Sequence, residues 1–314
     1  MVSFGFNAEI EEHTRSRDCS VYRMKDGDGV MTCYHVMPGV DVIYNDFHME
    51  RGSARYDSHG KRVLSIDHCR EGRIEWEHKD GTFCYLGERD LQASGKTDHV
   101  DSYGFPTRHY HGITVNYYID ECREGLKKFG FSYDIDMEEL FDKFCRNKDS
   151  FIVRSDESIQ HIFSELYVVP DEIRMDYLKL KVMELLLFLC TLDISGYTSE
   201  RPYFSRSQVA KIKDIEAYIR ENMGTDCKLA CLSEKFGISM TAMKSCFKGI
   251  YGMSIYAYIK NYRMNTAAEM LRNSEESITD IAFNVGYLNP SKFSSAFKSQ
   301  FGCSPMEYKK ANRS

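Results

Sequence analysis

One stretch near the carboxy terminus occurs twice. Leu232 to Tyr258 reads LSEKFGISMTAMKSCFKGIYGMSIYAY, and Ile281 to Tyr308 reads IAFNVGYLNPSKFSSAFKSQFGCSPMEY. A shift of 49 places Leu232 on Ile281, Ser233 on Ala282 and Gly237 on Gly286. A shift of 50 places Phe247-Lys248 on Phe297-Lys298, Gly252 on Gly302, Ser254 on Ser304 and Tyr258 on Tyr308. The single extra residue falls between these blocks, in a turn, where an insertion disturbs no packing. A repeat of this kind constrains the fold strongly, because each copy has to be one structural unit.

The local signals say what that unit is. Ser277 followed by Asp280 starts a helix in the manner of a capping box, and Ile278, Ile281, Ala282 and Val285 keep helical spacing behind it. Gly286 supplies the residue that turns the chain out of that helix. Asn289 and Pro290 restart it as N-cap and first helical residue; Phe293, Ala296, Phe297 and Phe301 give the second helix one apolar face, and Gly302 ends it. Ser304, Pro305 and Glu307 open a third. Helix, glycine turn, helix is the helix-turn-helix signature. Between the copies, Ile255, Tyr258, Ile259, Tyr262, Ala267 and Leu271 mark one helix over 255–272. About 18 residues span roughly 27 Å, which suits two readers entering successive major grooves of a duplex whose repeat is roughly 34 Å.

Residues 212–310 resemble the AraC/XylS family of bacterial transcription regulators. The resemblance rests on Ile281-Ala282, Gly286-Tyr287, Phe293, Phe297-Lys298, Gly302, Ser304-Pro305 and Tyr308, with Arg263 and Ala267 in the joining helix. Ser233 stands where the family usually has Ala; it fits the volume and is expected to bond back to a helix carbonyl. The resemblance implies sequence-specific binding to double-stranded DNA, an amino-terminal effector domain and a homodimer. It favours activation over repression, which would add RNA polymerase as a partner.

The second helix of each unit should lie in the major groove. Met243, Cys246 and Phe247 face inward by spacing, which leaves Thr241, Lys244 and Ser245 outward; Ser291, Lys292 and Ser295 are their equivalents. Lys donates to guanine, whereas Ser and Thr bond several base edges. No Arg stands in either set, so DNA shape should share in the readout. Lys248, Lys260, Arg263 and Lys298 are candidate phosphate contacts, which position without specifying.

Charge divides along the same line. The net charge of −6 is the sum of +5 over residues 208–314 (15 Lys+Arg against 10 Asp+Glu) and −11 over the rest (26 against 37). A basic module joined to an acidic remainder suits DNA binding by the former only. The fold class expected is α+β multidomain: a cupin-like β-barrel over 1–130, a helical connector over 131–195, a linker over 196–207 and the double helix-turn-helix domain over 208–314.

The amino-terminal part alternates short β-branched or aromatic runs with turn residues: Val30 to Cys33, Val40 to Tyr44, Val63 to Ile66, Arg73 to Glu77, Thr82 to Leu86 and Ile113 to Tyr118. The cupin-like form is what the resemblance implies. Tyr34, Tyr44, Trp76 and Tyr85 are candidate pocket walls, with Arg70 or Arg73 to clamp an anionic group; the same aromatics could simply fill the core. His68 with Glu75 or Glu77 and His109 or His111 would be needed for a barrel metal centre. Their spacing departs from the usual pattern, so no metal and no cofactor is expected, and no enzymatic role. A cupin-type metal-binding enzyme fused to a DNA-tethering module is the alternative.

Leu178 to Leu192 is apolar nearly all round and should be buried. Leu178, Met183, Leu185, Leu186 and Leu189 are expected to form the homodimer interface, an internal core helix being the alternative. Eleven scattered cysteines, no leader-like start and no long apolar run point to a reduced cytoplasmic setting away from membranes.

Overall fold

A computed structural model describes residues 5–6, 10–25, 27–52, 56–57, 60–78, 81–95, 100–130, 133–145, 151–154, 157–195, 204–225 and 228–312. The chain divides into two compact units, Met1–Tyr203 and Phe204–Ser314. Residues 196–203 of the expected linker lie outside the described residues, and the remainder of that segment already belongs to the second unit, whose first helix begins at Arg206.

The first unit is an antiparallel sheet with helices on one face. Its strands are β1 (Gly5–Phe6), β2 (Ile10–Arg15), β3 (Cys19–Met24), β4 (Asp28–Met37), β5 (Val40–His48), β6 (Arg51–Gly52), β7 (Tyr56–Asp57), β8 (Val63–His78), β9 (Thr82–Gly87), β10 (Asp90–Gly95), β11 (Val100–Gly104), β12 (Tyr110–Tyr118) and β13 (Phe151–Arg154). The main path runs β13-β10-β8-β12-β5-β4-β3-β2, and β1 pairs with β7. The two runs expected at 63–66 and 73–77 are one strand. Its first half pairs with β10 and β12, its second with β9 and β11. The change of partners happens at Gly72, with φ +81° and the His109 carbonyl oxygen 2.1 Å from where a Cβ would stand. Only glycine fits there. The register of β8 against β12 shifts beside it, so the sheet bends into a half-barrel.

Strand alternation sorts side chains onto two faces. One face carries Val40, Val42, Leu64, Ile66, Leu91, Ile113, Val115 and Tyr117, and is covered by α1 (Ile119–Lys127), α2 (Met137–Cys145), α3 (Glu157–Leu166) and α4 (Arg174–Thr191). The other carries a second cluster around Cys33, Ile43, Phe47, Ile74, Leu86, Phe105 and Tyr110. Leu178, Met183, Leu185, Leu186 and Leu189 all point into the first cluster and are at most 2% exposed. The dimer interface expected through them is therefore corrected: these five side chains are the core of one subunit, and no second copy can reach them while the unit is folded. Strand β13 is a further departure, lying where only helix was expected; it pairs along β10.

The second unit is helical: α5 (Arg206–Glu221), α6 (Leu229–Lys235), α7 (Met240–Tyr251), α8 (Ile255–Asn273), α9 (Ile278–Asn284), α10 (Pro290–Phe301) and α11 (Pro305–Ala311). Caps written in the sequence set the boundaries. Ser239, Ser254, Ser277, Asn289 and Ser304 each accept a bond from a backbone N–H two or three residues on, and Ser205 and Ser304 complete capping boxes with Gln208 and Glu307. Gly252 and Gly302 end α7 and α10 in the left-handed conformation, at φ +77° and +75°.

Candidate nucleic-acid interface

The sequence repeat is also a repeat of packing geometry. In the first copy Phe247 packs on Tyr251 with ring centroids 4.6 Å apart and on Tyr258 at 5.4 Å, with planes 38° and 76° apart. In the second copy Phe297 packs on Phe301 at 4.5 Å and on Tyr308 at 5.3 Å, with planes at 36° and 76°. The turns match as well. Gly237 donates its N–H to Glu234 and Ile238 to Ser233; Gly286 donates to Phe283 and Tyr287 to Ala282. Ser233 does not bond back into its helix: its hydroxyl donates forward to the Ile238 carbonyl at 2.6 Å, adding one fastening to the first turn.

On each second helix the apolar stripe is spent inward. Met243, Cys246 and Phe247 are buried in α7, as are Phe293 and Phe297 in α10. The opposite faces present the six residues expected to read bases: Thr241, Lys244 and Ser245, and Ser291, Lys292 and Ser295, all exposed. Lys248 and Lys298, at matched positions of the two helices, are exposed too, as is Lys260 on α8. With 19 residues, α8 is about 28 Å long.

Arg263 is the exception among the phosphate candidates. Its Nε and Nη2 donate to the Met223 carbonyl at 3.1 and 2.8 Å, Nη2 also to Thr225 at 2.9 Å, and Nη1 to Gly286 at 3.4 Å. A guanidinium whose donors are taken by backbone carbonyls is a fastener, not a free cation. It ties the loop after α5 to the turn of the second helix-turn-helix, and its expected phosphate role is corrected accordingly. Sequence reasoning missed two exposed apolar groups at the entrances of the reading helices: Met240 at the first position of α7, and Leu288 just before the Asn289 cap, at 91% exposure.

In the first unit the six residues expected to form one effector pocket do not come together. Tyr34 and Tyr44 meet edge to face at 5.7 Å on the helix-covered side. There Tyr44 donates to the Leu166 carbonyl, and the arginine beside Tyr34 is Arg174, which donates to its hydroxyl at 2.6 Å. Arg70 lies over the Tyr167 ring. Arg73 and Tyr85 share one side of the β8–β9 pair, whereas Trp76 is on the other with Ile74 and Leu86. His68 is stacked on Phe163 at 4.3 Å with a hydrogen bond to Tyr167, and burial lowers its pKa to about 4. It belongs to the core against the helices.

The polar groups the sequence did not single out are on the other face. Paired registers set Asp41, Asn116 and Ser65 in one row and Thr114, Asp67 and Gln92 in the next. All are buried except Asp67, which is half-buried. Thr114 donates to Asp67 at 2.6 Å and Asn45 to Thr114 at 3.0 Å. Both amide atoms of Asn116 and the Gln92 oxygen are buried without a hydrogen-bond partner among the described residues. Groups of this kind cost about 1–3 kcal/mol each when left unpaired.

Two helix-turn-helix units in one helical domain define the class of the carboxy-terminal part. Residues 232–311 match the family described as "Helix-turn-helix domain". The chain is 28% identical over 123 residues to the "HTH-type transcriptional activator RhaR" of Mannheimia succiniciproducens, covering 39% of this chain and 45% of that protein. It is 32% identical over 94 residues to the "HTH-type transcriptional regulator ExsA" of Pseudomonas aeruginosa, covering 30% and 34%. It is 31% identical over 98 residues to the "Regulatory protein SoxS" of Escherichia coli, covering 31% of this chain and 92% of that protein. The matches thus span less than half of RhaR and about a third of ExsA. Among solved structures, the C-terminal domain of AraT, a response regulator from Geobacillus stearothermophilus, aligns with 33% of this chain and 87% of its own at 30% identity and TM-score 0.32. ToxT from Vibrio cholerae aligns with 87% of this chain and 99% of its own at 14% identity and TM-score 0.30. The chain belongs to the AraC/XylS family of regulators.

Proposed function

We propose that the protein is a sequence-specific DNA-binding transcription regulator, acting as an activator, whose output is set by a small molecule held in the first unit. The observation that carries the DNA reading is the pair of exposed faces on α7 and α10, with hydroxyls at matched positions (Thr241 and Ser291, Ser245 and Ser295) and one lysine on each at different positions, Lys244 and Lys292. Lys244 and Lys292 would donate to guanine, and the hydroxyls to several base edges. Lys248, Lys260 and Lys298 would contact phosphates, and Met240 and Leu288 would lie against sugar or thymine methyls. Readout of this composition leans on DNA shape as well as on base edges.

The effector reading moves to the polar rows of the sheet. Asn116 and Gln92, beside Asp67 and Thr114, suit a ligand rich in hydroxyl or amide groups more than the aromatic, anionic one expected from Tyr34, Tyr44, Arg70, Arg73, Trp76 and Tyr85. The first unit would then work as a cupin-like receptor, and the helical connector would pair two copies through the outward side of α4, where Leu180 is 63% exposed. RNA polymerase would be the further partner at a promoter and the cytoplasm the setting. No described helix is long and apolar enough to cross a membrane.

Selection of bound duplexes from a random library by the full chain, at physiological salt with competitor DNA, tests the central reading. Recovery of one sequence preference is expected. Retention without preference would contradict it. Melting-temperature shifts with polar metabolites test the receptor: a shift that Asn116→Leu abolishes supports it, and an unchanged shift in that variant moves the effector elsewhere.

A further inference from the structure

Asp46 and His48 stand two residues apart on β5, so they share one face of the strand, and His111 on β12 is the register partner of Asp46. The three donor atoms form a nearly equilateral triangle. Nε2 of His48 and Nε2 of His111 are 3.2 Å apart; the same two atoms are 3.0 and 3.1 Å from Oδ1 of Asp46. A first-row ion with bonds of about 2.0–2.1 Å needs ligand atoms about 2.9 Å apart at right angles and about 3.3 Å apart at tetrahedral angles. The observed triangle falls between those limits on all three sides.

We propose that Asp46, His48 and His111 bind a divalent first-row transition ion. Two imidazole nitrogens and one carboxylate oxygen, each within about 3 Å of the other two, leave room for one ion between them when both rings present an unprotonated nitrogen. Imidazole with carboxylate favours zinc, copper, nickel, cobalt or ferrous iron over calcium and magnesium, which prefer oxygen-only sets. The side chains of Asp46, His48 and His111 are 59%, 50% and 34% exposed, so the ion would keep solvent-side positions for water or a further ligand. Glu71, on the other strand flanking His111, has a carboxylate oxygen 3.9 Å from the second ring nitrogen of His111. At that distance it is no hydrogen-bond partner, and it adds only negative charge beside the site. The ion would fasten β5 to β12, and the site does not depend on the DNA reading.

The test uses full-length protein stripped with chelator and titrated with zinc against a chromophoric competitor, followed by cobalt spectroscopy. One saturable zinc per chain is expected, lost in His48→Ala and His111→Ala and kept in His109→Ala, a neighbour outside the triangle. The cobalt form should show visible bands without thiolate charge transfer. Binding that persists unchanged in both histidine variants, thiolate bands from the cysteines, or no saturable uptake by the wild type would each overturn the assignment.

Discussion

The two helix-turn-helix units are the same object fastened in two ways. Their aromatic trios superpose to within about a tenth of an ångström in ring separation, and both turns use the same two backbone bonds. The fastenings differ. Tyr258 of the first unit donates to Glu216 on α5, which Arg220 also engages; Tyr308, its counterpart, accepts from Arg272 at 3.0 Å. The turn of the second unit is clamped by Arg263, whereas the turn of the first is held by Lys211 donating to the Gly237 carbonyl and by Ser233. Packing inside a unit is therefore set by the repeat, and the attachment of each unit to its surroundings by residues outside it. Matched substitutions should have equal effects on the interior and unequal ones at the fastenings.

Gly286→Ala against Gly237→Ala should separate the units most widely. A Cβ on Gly286 would lie 2.8 Å from the Arg263 guanidinium and from the Met223 carbonyl, at φ +81°; on Gly237, at φ +57°, the nearest atom is 3.9 Å away. The first carries left-handed strain plus a clash, about 3–4 kcal/mol in a denaturant titration, and the second strain alone, about 1–2 kcal/mol. Equal losses would mean the turns are not fastened as described.

Acid should divide the molecule at the level of its two compact units. Burial holds His68 neutral down to about pH 4, against 6.5 when free. Between those values the unfolded chain binds a proton that the folded one lacks, so stability of the first unit falls as pH falls, by on the order of 3 kcal/mol in total. His68→Gln should flatten that slope, followed by near-ultraviolet dichroism of the first unit; an unchanged slope would place the titrating group elsewhere. Arg263→Ala should cost about 2 kcal/mol through the carbonyls it leaves unpaired, with little change in the salt dependence of DNA binding, whereas Lys298→Ala should reduce that slope by about one. The reverse pattern would return Arg263 to the phosphates. Tyr258→Phe should be the mildest, near 1 kcal/mol, because Glu216 keeps Arg220.

These contrasts follow how much of the molecule could be read from its sequence. The carboxy-terminal helices announce themselves within four residues: Ser277, Asn289-Pro290, Gly302 and Ser304 each act on neighbours. The fate of Arg263 was not legible, since the carbonyl it binds lies 40 residues away in a loop with no pattern of its own. In the first unit the run Asp67 to Gly72 looks like a break dense in chemical groups. It is the middle of a strand, bent at a glycine whose reason is the carbonyl of His109. Leu178 to Leu189 were legible as buried, but not what buries them. The sheet faces depend on pairings such as Asp41 with Asn116, and the Asp46–His48–His111 triangle on a register spanning 65 residues. Neither leaves a local trace.

The central claim is that two equivalent faces read two neighbouring major-groove segments, and base-resolved footprinting of the full chain on its selected duplex tests it most directly. The account predicts two protected segments about one helical turn apart, with Lys244→Ala weakening protection of one and Lys292→Ala that of the other, each at a cost of about 1–3 kcal/mol. A single protected segment, or two segments that neither lysine affects, would contradict it.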